Sequence, residues 1–508
     1  MLDIKDIIRT ALQEHDGETG LELEDFIGSI SARLDDVASI PAYDHTSKPL
    51  SLVSFRCMLQ DTGYPMEVYL PGEQPQEGQE VDWSKLRERW VGWGVEIPGE
   101  NDWVKNPSSD SLSNGLASLH MNGSTASHPP ALQSKFHLSS QSANYLGALV
   151  KVYDDVSFRP ASTHTFVGLL STAALPSPIS ASGNEADEAV IVPTIHVLRG
   201  PLPPPVEESI RDVEATRSAL LQYLASELPV DALSAEYILL ALLASPSVRP
   251  PALQPLGTLS LNLIGAIPSL SATLRRLVPA TVDLPLTLQT LHSTSFTPSS
   301  TTSSASDSSS LSSGLLQLAE GTVLVIDETA MGDGGKLLEK AVRNLQALTE
   351  TMAEQKVRYE YPYMDGLKMD AWIRPIVLSD GKSLVPVDIH LPLLPSTSTP
   401  SPSSSTTPDL PAFRSYLRKY GSLAHARKLV IPESTAAKIQ DDFVTYRRAQ
   451  GVGGDAEEVL KRRMKIARLV AVSYEDAVLS EERWARVIEM DEEAEKRMKD
   501  RKKCGAGK

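Results

Sequence analysis

Residues 315–331, LLQLAEGTVLVIDETAM, form an apolar strand that runs straight into a carboxylate pair, Asp327 and Glu328. A strand with that ending is half of a nucleotide-hydrolysing site, in which the first carboxylate holds the Mg²⁺ shell and the second orients the attacking water. The other half is a glycine-rich loop whose backbone N–H groups cradle the phosphates, followed by Lys and Ser or Thr. No GxxxxGK[ST] occurs in the 508 residues. The stretch therefore predicts an α/β architecture and leaves its chemistry in question.

Working outward, the PLPPP run at 201–205 marks a boundary, after which 207–228 and 231–244 read as helices with apolar stripes such as Leu220, Leu221, Leu224 and Leu228. TLSLNLIGA (258–266) reads as a strand, PSLSATLRRLVP (268–279) as a short helix and LPLTLQTLH (284–292) as a second strand. Strands alternating with helices predict a parallel sheet. Residues 293–313 hold 12 Ser in 21 positions, a loop too polar to pack, and read as a surface insertion. Beyond Glu328, 336–356 reads as an amphipathic helix and AWIRPIVL (371–378) as a strand that completes an α/β domain over 207–395. Ser and Pro dominate a linker at 396–411, and 412–508 reads as a helical lobe with a basic tail.

Toward the N-terminus, residues 1–40 read as helical, with Leu2, Ile4, Ile7, Ile8 and Leu12 at helical spacing. Residues 50–200 then turn to short strands: SLVSFRCMLQ (51–60), MEVYL (66–70), NYLGALVKVYDD (144–155), THTFVGLLS (163–171) and AVIVPTIHVL (189–198). Five short strands predict a small OB-like Greek-key barrel, interrupted by a Ser-rich flexible insertion at 107–142. Such barrels hold single-stranded nucleic acid when they present a basic groove and stacking aromatics. Lys151, Tyr153 and Phe158 are the candidates, with core packing or loop anchoring as the alternative role.

The net charge of −17 argues against a protein that wraps nucleic acid. Residues 412–508 carry 22 Lys+Arg against 16 Asp+Glu, which is +6 and leaves −23 for the remainder. Two cysteines, Cys57 and Cys504, exclude a disulfide framework and a cysteine zinc site and suggest a reducing compartment, cytosol or nucleus. The first residues, MLDIKDIIRTALQEH, lack the basic and apolar regions of a secretory signal, and no apolar run approaches the ~20 residues that span a bilayer. A soluble protein with no membrane partner is expected. KRMKDRKK at 496–503 reads as a nuclear import signal or as a solvated helix end.

In order, the α/β region and helical lobe resemble the AAA+ ATPase domain of the MCM replicative helicases. Leu318-Ala319-Glu320-Gly321 through Ile326-Asp327-Glu328 and Met331 follow that family's LADxGhhxIDExxxM segment. Met352-Ala353-Glu354-Gln355 resembles the helix before its pore hairpin, and Leu417-Arg418-Lys419-Tyr420 its lid domain. At the phosphate loop stands Gly265-Ala266-Ile267-Pro268-Ser269-Leu270-Ser271-Ala272. Ser271 falls where the Lys belongs, Ala272 where the Mg²⁺-binding hydroxyl belongs, and Pro268 removes a backbone donor. Ser379 replaces the water-sensing Asn, and no Ser-Arg-Phe-Asp finger follows. The resemblance implies an inactive domain with a degenerate nucleotide site at Gly265, Ser271, Ala272, Asp327 and Glu328, no catalytic residue, no cofactor and no metal. Asp327 and Glu328 then cap the following helix or bond loop amides, with a residual Mg²⁺ site as the alternative.

Over nearly the full chain, the plan resembles the family of MCM complex-binding proteins. The residues that carry it are 52–61, 98–105, 149–155 and 318–328. It implies a nuclear adaptor that binds most MCM helicase subunits, stands in for one of them, helps remove the complex from chromatin late in S phase and supports sister-chromatid cohesion. Chromatin is then reached through the helicase, and direct nucleic-acid binding stays open. The insertions at 107–142, 293–313 and 396–408 depart from the family in length. Two rival readings are an active ATPase with an unorthodox loop and a single-strand binder using the barrel.

Overall fold

The computed structural model describes residues 4–14, 23–71, 83–105, 130–136, 145–175, 190–203, 210–251, 253–300, 311–331, 335–362, 364–394, 408–422, 429–450 and 455–505. Five strands build the N-terminal half: β1 (Leu52–Asp61), β2 (Arg87–Val95), β3 (Gly147–Val152), β4 (Thr163–Ala174) and β5 (Ile191–Arg199). They close on themselves in the order β1-β2-β3-β5-β4-β1. All pairs are antiparallel except β3 with β5, where Val150 stands opposite Ile195. Alternation decides what fills the ring: Val53, Phe55, Cys57 and Leu59 from β1 meet Ala148, Val150 and Val152 from β3 and Ile195 and Val197 from β5 in one buried cluster. The expected barrel strand at 66–70 is a short piece, Glu67–Tyr69, paired to the start of β2, and β2 takes its place in the ring although no strand was expected there. Helices α1 (Ile4–Glu14) and α2 (Leu23–Arg33) lay Ile7, Ile8, Ala11, Ile27 and Ile30 against Leu52, Val167 and Leu169.

The second half is built on a parallel sheet of β6 (Leu261–Ile264), β7 (Thr281–Pro285), β8 (Thr322–Asp327), β9 (Ile373–Ser379) and β10 (Ile389–Pro392), ordered β10-β6-β9-β8-β7. Every pairing in it is parallel, as the alternation of strands and helices predicts. In β8, Val323 and Val325 face one core while Leu324 and Ile326 face the other. The first core holds α3 (Val213–Glu227), α4 (Ala232–Leu243) and α5 (Leu270–Leu277), together with α7 (Leu410–Tyr420), α9 (Ala456–Ser473) and α10 (Glu481–Gly505). The helical lobe, which also includes α8 (Glu433–Gln450), therefore shares its apolar interior with the sheet. α4 is buried from Leu233 to Leu243, which explains a sequence apolar on all sides. The second core holds α6 (Glu339–Glu354) and the antiparallel hairpin Lys356–Tyr361/Met364–Asp370.

Three sequence expectations change. The strand expected at 284–292 is β7 at 281–285 followed by a helix, Leu288–Ser293: the Thr287 hydroxyl accepts from Thr290 N at 3.0 Å and starts the helix where alternating leucines suggest continued strand. The Ser-rich 293–313 stretch is not wholly too polar to pack, because Phe296 and Leu311 are buried and Ser299–Ser300 pairs with Leu311–Ser312. Residues 301–310 lie outside the described residues. Within the insertion expected at 107–142, Leu132, Lys135 and Phe136 are buried, while 107–129 and 137–142 lie outside the described residues. The tail at 496–503 is the last part of α10, with Arg497 paired to Asp231 and Glu493.

Candidate functional site

A parallel sheet concentrates its chemistry in the crevice beyond the carboxyl ends of its strands, where loops and helix N-termini converge. Gly265 leaves β6 at φ +131°, a conformation that favours glycine, and its N–H donates to Ser379 O at 3.1 Å at the end of β9. Ser379 Oγ lies 2.8 Å from both Asn262 Oδ1 and Gly381 O, so the group at the water-sensing position is held by protein atoms. Asn262 also contacts His390 Nδ1 at 3.1 Å. Gly265, Ser379, Asp327 and Glu328 thus share one sheet edge, with β9 between β6 and β8.

Ser271 and Ala272 do not join them in a cradle. Ser271 Oγ donates to Asp283 Oδ1 at 2.6 Å on β7, and Arg275 grips the other oxygen of the same carboxylate. Ala272 is exposed and carries no polar group. Leu270, which replaces the second loop glycine, is fully buried in the first core, so the start of α5 is fastened by an apolar anchor. An ammonium is absent, a donor is missing at Pro268, and both hydroxyls are engaged, Ser269 with Glu227 O and Ser271 with the Asp283 carboxylate.

The carboxylates are likewise engaged. Asp327 Oδ1 accepts from Thr329 N at 3.0 Å and from Thr329 Oγ1 at 2.6 Å, capping the turn Thr329–Met331. Glu328 is 8% exposed and turns onto the loop after β9, accepting from Ser383 Oγ at 2.8 Å and Leu384 N at 3.1 Å. Burial pushes its carboxyl above the ordinary range, and these donors only partly oppose the rise. Both side chains do the structural work of capping a turn and bonding loop amides. Among the described residues no group of three or more His, Cys, Asp or Glu gathers that could hold a metal ion, and no helix is long and apolar enough to cross a membrane.

The barrel's nucleic-acid candidates are occupied as well. Lys151 Nζ bonds Glu14 and Glu67 at 3.0 Å each, and Tyr153 Oη meets Arg89 Nη1 at 3.0 Å and His196 Nδ1 at 2.7 Å. Phe158 packs edge-on against Trp90 at 4.7 Å and Phe166 at 5.7 Å between ring centroids. All three are engaged by the protein's own groups, Lys151 and Tyr153 in polar contacts and Phe158 in ring packing. In the hairpin that follows α6, Arg358 and Lys368 pair with Glu350 and Glu354 of that helix.

Sequence reading missed how the two halves join. Gly99 takes φ +70° so that its carbonyl accepts from Thr281 N at 2.8 Å; a Cβ there would lie 2.4 Å from Thr281 O. Asn101 Nδ2 donates to Val278 O at 2.6 Å, Trp103 Nε1 to Arg275 O at 2.9 Å, and Arg414 stacks over Trp103 at 4.2 Å. A second joint lies under residues 130–136. Asp61 Oδ2 accepts from Lys135 Nζ at 3.1 Å and Leu311 N at 3.0 Å, while Gln317 Nε2 donates to Gln60 O at 2.7 Å. Leu132 and Phe136 at helical spacing inside polar text were the available signal.

The comparisons with known proteins cover the same span. The profile of the family described as Mini-chromosome maintenance replisome factor matches residues 119–498. A mini-chromosome maintenance complex-binding protein of Salmo salar is 28% identical, with 92% of each chain covered. Proteins of the same name from Arabidopsis thaliana and Homo sapiens are 27% and 25% identical, covering 91% and 90% of each chain. With three quarters of its length inside one family profile, the chain belongs to the Mini-chromosome maintenance replisome factor family.

Proposed function

We propose that this protein is a non-catalytic adaptor that binds the MCM helicase complex in DNA replication. In this reading it acts in the nucleus, promotes release of the helicase from chromatin late in S phase and thereby supports sister-chromatid cohesion. The barrel is an OB-type fold, supported by the β1-β2-β3-β5-β4-β1 closure with one parallel pair. The sheet and helical lobe are an AAA+ framework without its chemistry. The carrying observation is that Ser271 is bonded to Asp283 and Glu328 to the 383–384 loop, so the sheet edge is finished by the protein's own side chains. The name these relatives share, mini-chromosome maintenance complex-binding protein, supports the partner.

The physical logic lies in ring assembly. Heterologous rings place each nucleotide between one subunit's cradle and its neighbour's finger. A subunit with matching surfaces and no site occupies or caps an interface without completing the ring, which favours an open, dissociable assembly. Full-length tagged protein is expected to recover MCM subunits from nuclear extract, with no phosphate release above background from the purified chain. Recovery of no MCM subunit refutes the adaptor role. Turnover abolished by Glu328→Gln overturns the non-catalytic reading.

A further inference from the structure

Glu14, the last residue of α1, reaches into a socket formed by β2, β3 and β5. Arg89 Nη2 donates to Glu14 Oε1 at 2.7 Å and Lys151 Nζ to Oε2 at 3.0 Å, from side chains only 4% and 5% exposed. Glu67 shares both cations, at 2.6 Å from Arg89 and 3.0 Å from Lys151. Arg89 also lies over the edge-to-face pair Tyr69 and Tyr153, its guanidinium carbon 5.3 and 5.5 Å from their ring centroids.

The third wall is His196, fully buried and held neutral by burial and by the two cations, which push its pKa well below the ordinary value. Tyr153 Oη accepts from Arg89 Nη1, and among the described residues its own proton meets no acceptor but His196 Nδ1; that assignment puts the imidazole proton on Nε2. That Nε2 has no hydrogen-bond partner and stands 3.9 Å from Glu14 Oε2, beyond bonding reach. Three donors therefore converge on one position, and a flat carboxylate satisfies two of them.

We propose that this socket recognises a single phosphoryl group, with Glu14 as its built-in stand-in. A tetrahedral oxyanion presents a third oxygen toward His196 Nε2 while keeping the bonds to Arg89 and Lys151. With Glu14 withdrawn, Arg89 and Lys151 face Glu67, a balance of +1 that suits one phosphoryl group and offers no track for a polynucleotide, which the chain's −17 also disfavours. Glu14 and Glu67 each keep 26% of their side chains exposed, so the socket opens to water beside the end of α1. Ile7, Ile8 and Ala11 fasten the helix independently of Glu14. This site does not depend on the helicase reading.

The test uses the full-length chain and its Glu14→Ala variant, titrated calorimetrically with inorganic phosphate, O-phosphoserine and oligothymidylate. Glu14→Ala is expected to bind inorganic phosphate and phosphoserine about tenfold more tightly than the parent, since one competing charged partner is removed. Adding His196→Asn, which keeps an acceptor for Tyr153 and deletes the distal N–H, is expected to reverse that gain. If Glu14→Ala fails to fold, Glu14→Gln gives the same ordering with a smaller gain. Equal phosphate binding by parent and opened variant refutes the site, and so does a gain indifferent to His196→Asn. Oligothymidylate bound more tightly than phosphoserine, with a steep salt dependence, overturns the assignment to a single phosphoryl group.

Discussion

Replacing Arg374 tests whether a buried cation without a carboxylate partner fastens the helical lobe to the sheet. Arg374, on β9, donates from Nε to Ala244 O at 3.0 Å, from Nη1 to Gly321 O at 3.2 Å and from Nη2 to Gly421 O at 2.7 Å, and stacks on Trp372 at 4.9 Å. Ala244 and Gly421 are the C-caps of α4 and α7, whose carbonyls carry the negative ends of the helix dipoles. Burial pulls the guanidinium down to about 10 from 12.5, with no neighbouring charge to offset it. That difference corresponds to roughly 3 kcal/mol of desolvation at neutral pH. Arg374→Met removes this cost but orphans Gly321 O and Gly421 O, together about 4 kcal/mol, while Ala244 O still accepts from Trp372 Nε1. The net loss is about 1 kcal/mol. Arg374→Lys keeps the desolvation cost while its ammonium serves one of the two carbonyls, so the loss is about 2 kcal/mol. The charge-conserving substitution is thus the more damaging one, read as the larger drop in urea midpoint at unchanged slope. Lys tolerated as well as Met refutes the argument, because the cation's charge would then matter more than its fork of donors.

Three further outcomes follow from the sheet edge and the domain joint. Glu328 has a folded pKa raised above 4.5, so its contribution is fully present below that value and is lost as pH rises through the folded pKa. Glu328→Gln, which keeps an acceptor for Leu384 N, should therefore gain stability relative to the parent from pH 4 to 7; a constant difference contradicts this. Gly99→Ala places a Cβ 2.4 Å from Thr281 O at φ +70° and should cost about 2–4 kcal/mol, with faster amide exchange in β7; an unchanged midpoint argues against the joint. The triple change Leu270→Gly, Ser271→Lys, Ala272→Thr restores cradle residues, yet Pro268 persists, so no phosphate release is expected; deleting Leu270 should also cost about 2–5 kcal/mol in thermal unfolding.

The legible parts of the fold were those whose signal is local. TVLVID and LNLI are apolar strands buried on both faces, and four of the five barrel strands were read from their apolar text, while RERWVGWGV of β2 was not. The end of β7 was misread because Leu284, Leu286, Leu288 and Leu291 continue an apolar pattern across the point where Thr287 caps a helix. The joints were illegible because their partners are distant in sequence: Lys135 meets Asp61 across 74 residues, and Asn101 meets Val278 across 177. At the candidate site, sequence reading located Gly265, Ser271, Asp327 and Glu328 and anticipated capping and loop bonds for the two carboxylates, but not that Ser271 joins Arg275 on Asp283.

Those side-chain roles make the sheet edge informative about assembly. A site that had merely lost its lysine would leave unsatisfied donors and a pair of uncommitted carboxylates, both costly when buried. Here Asp327 caps a turn, Glu328 ties down the 383–384 loop, and Ser271 joins Arg275 in holding Asp283, so each position contributes to rigidity. The Gly99–Trp103 segment adds a second constraint by bonding the barrel to β7 and to α5. Subunits of an active ring shift between nucleotide states; under the adaptor role proposed above, bonds that fill this edge would resist such shifts. On that proposal, a fixed shape would present one docking geometry to the helicase subunits it binds.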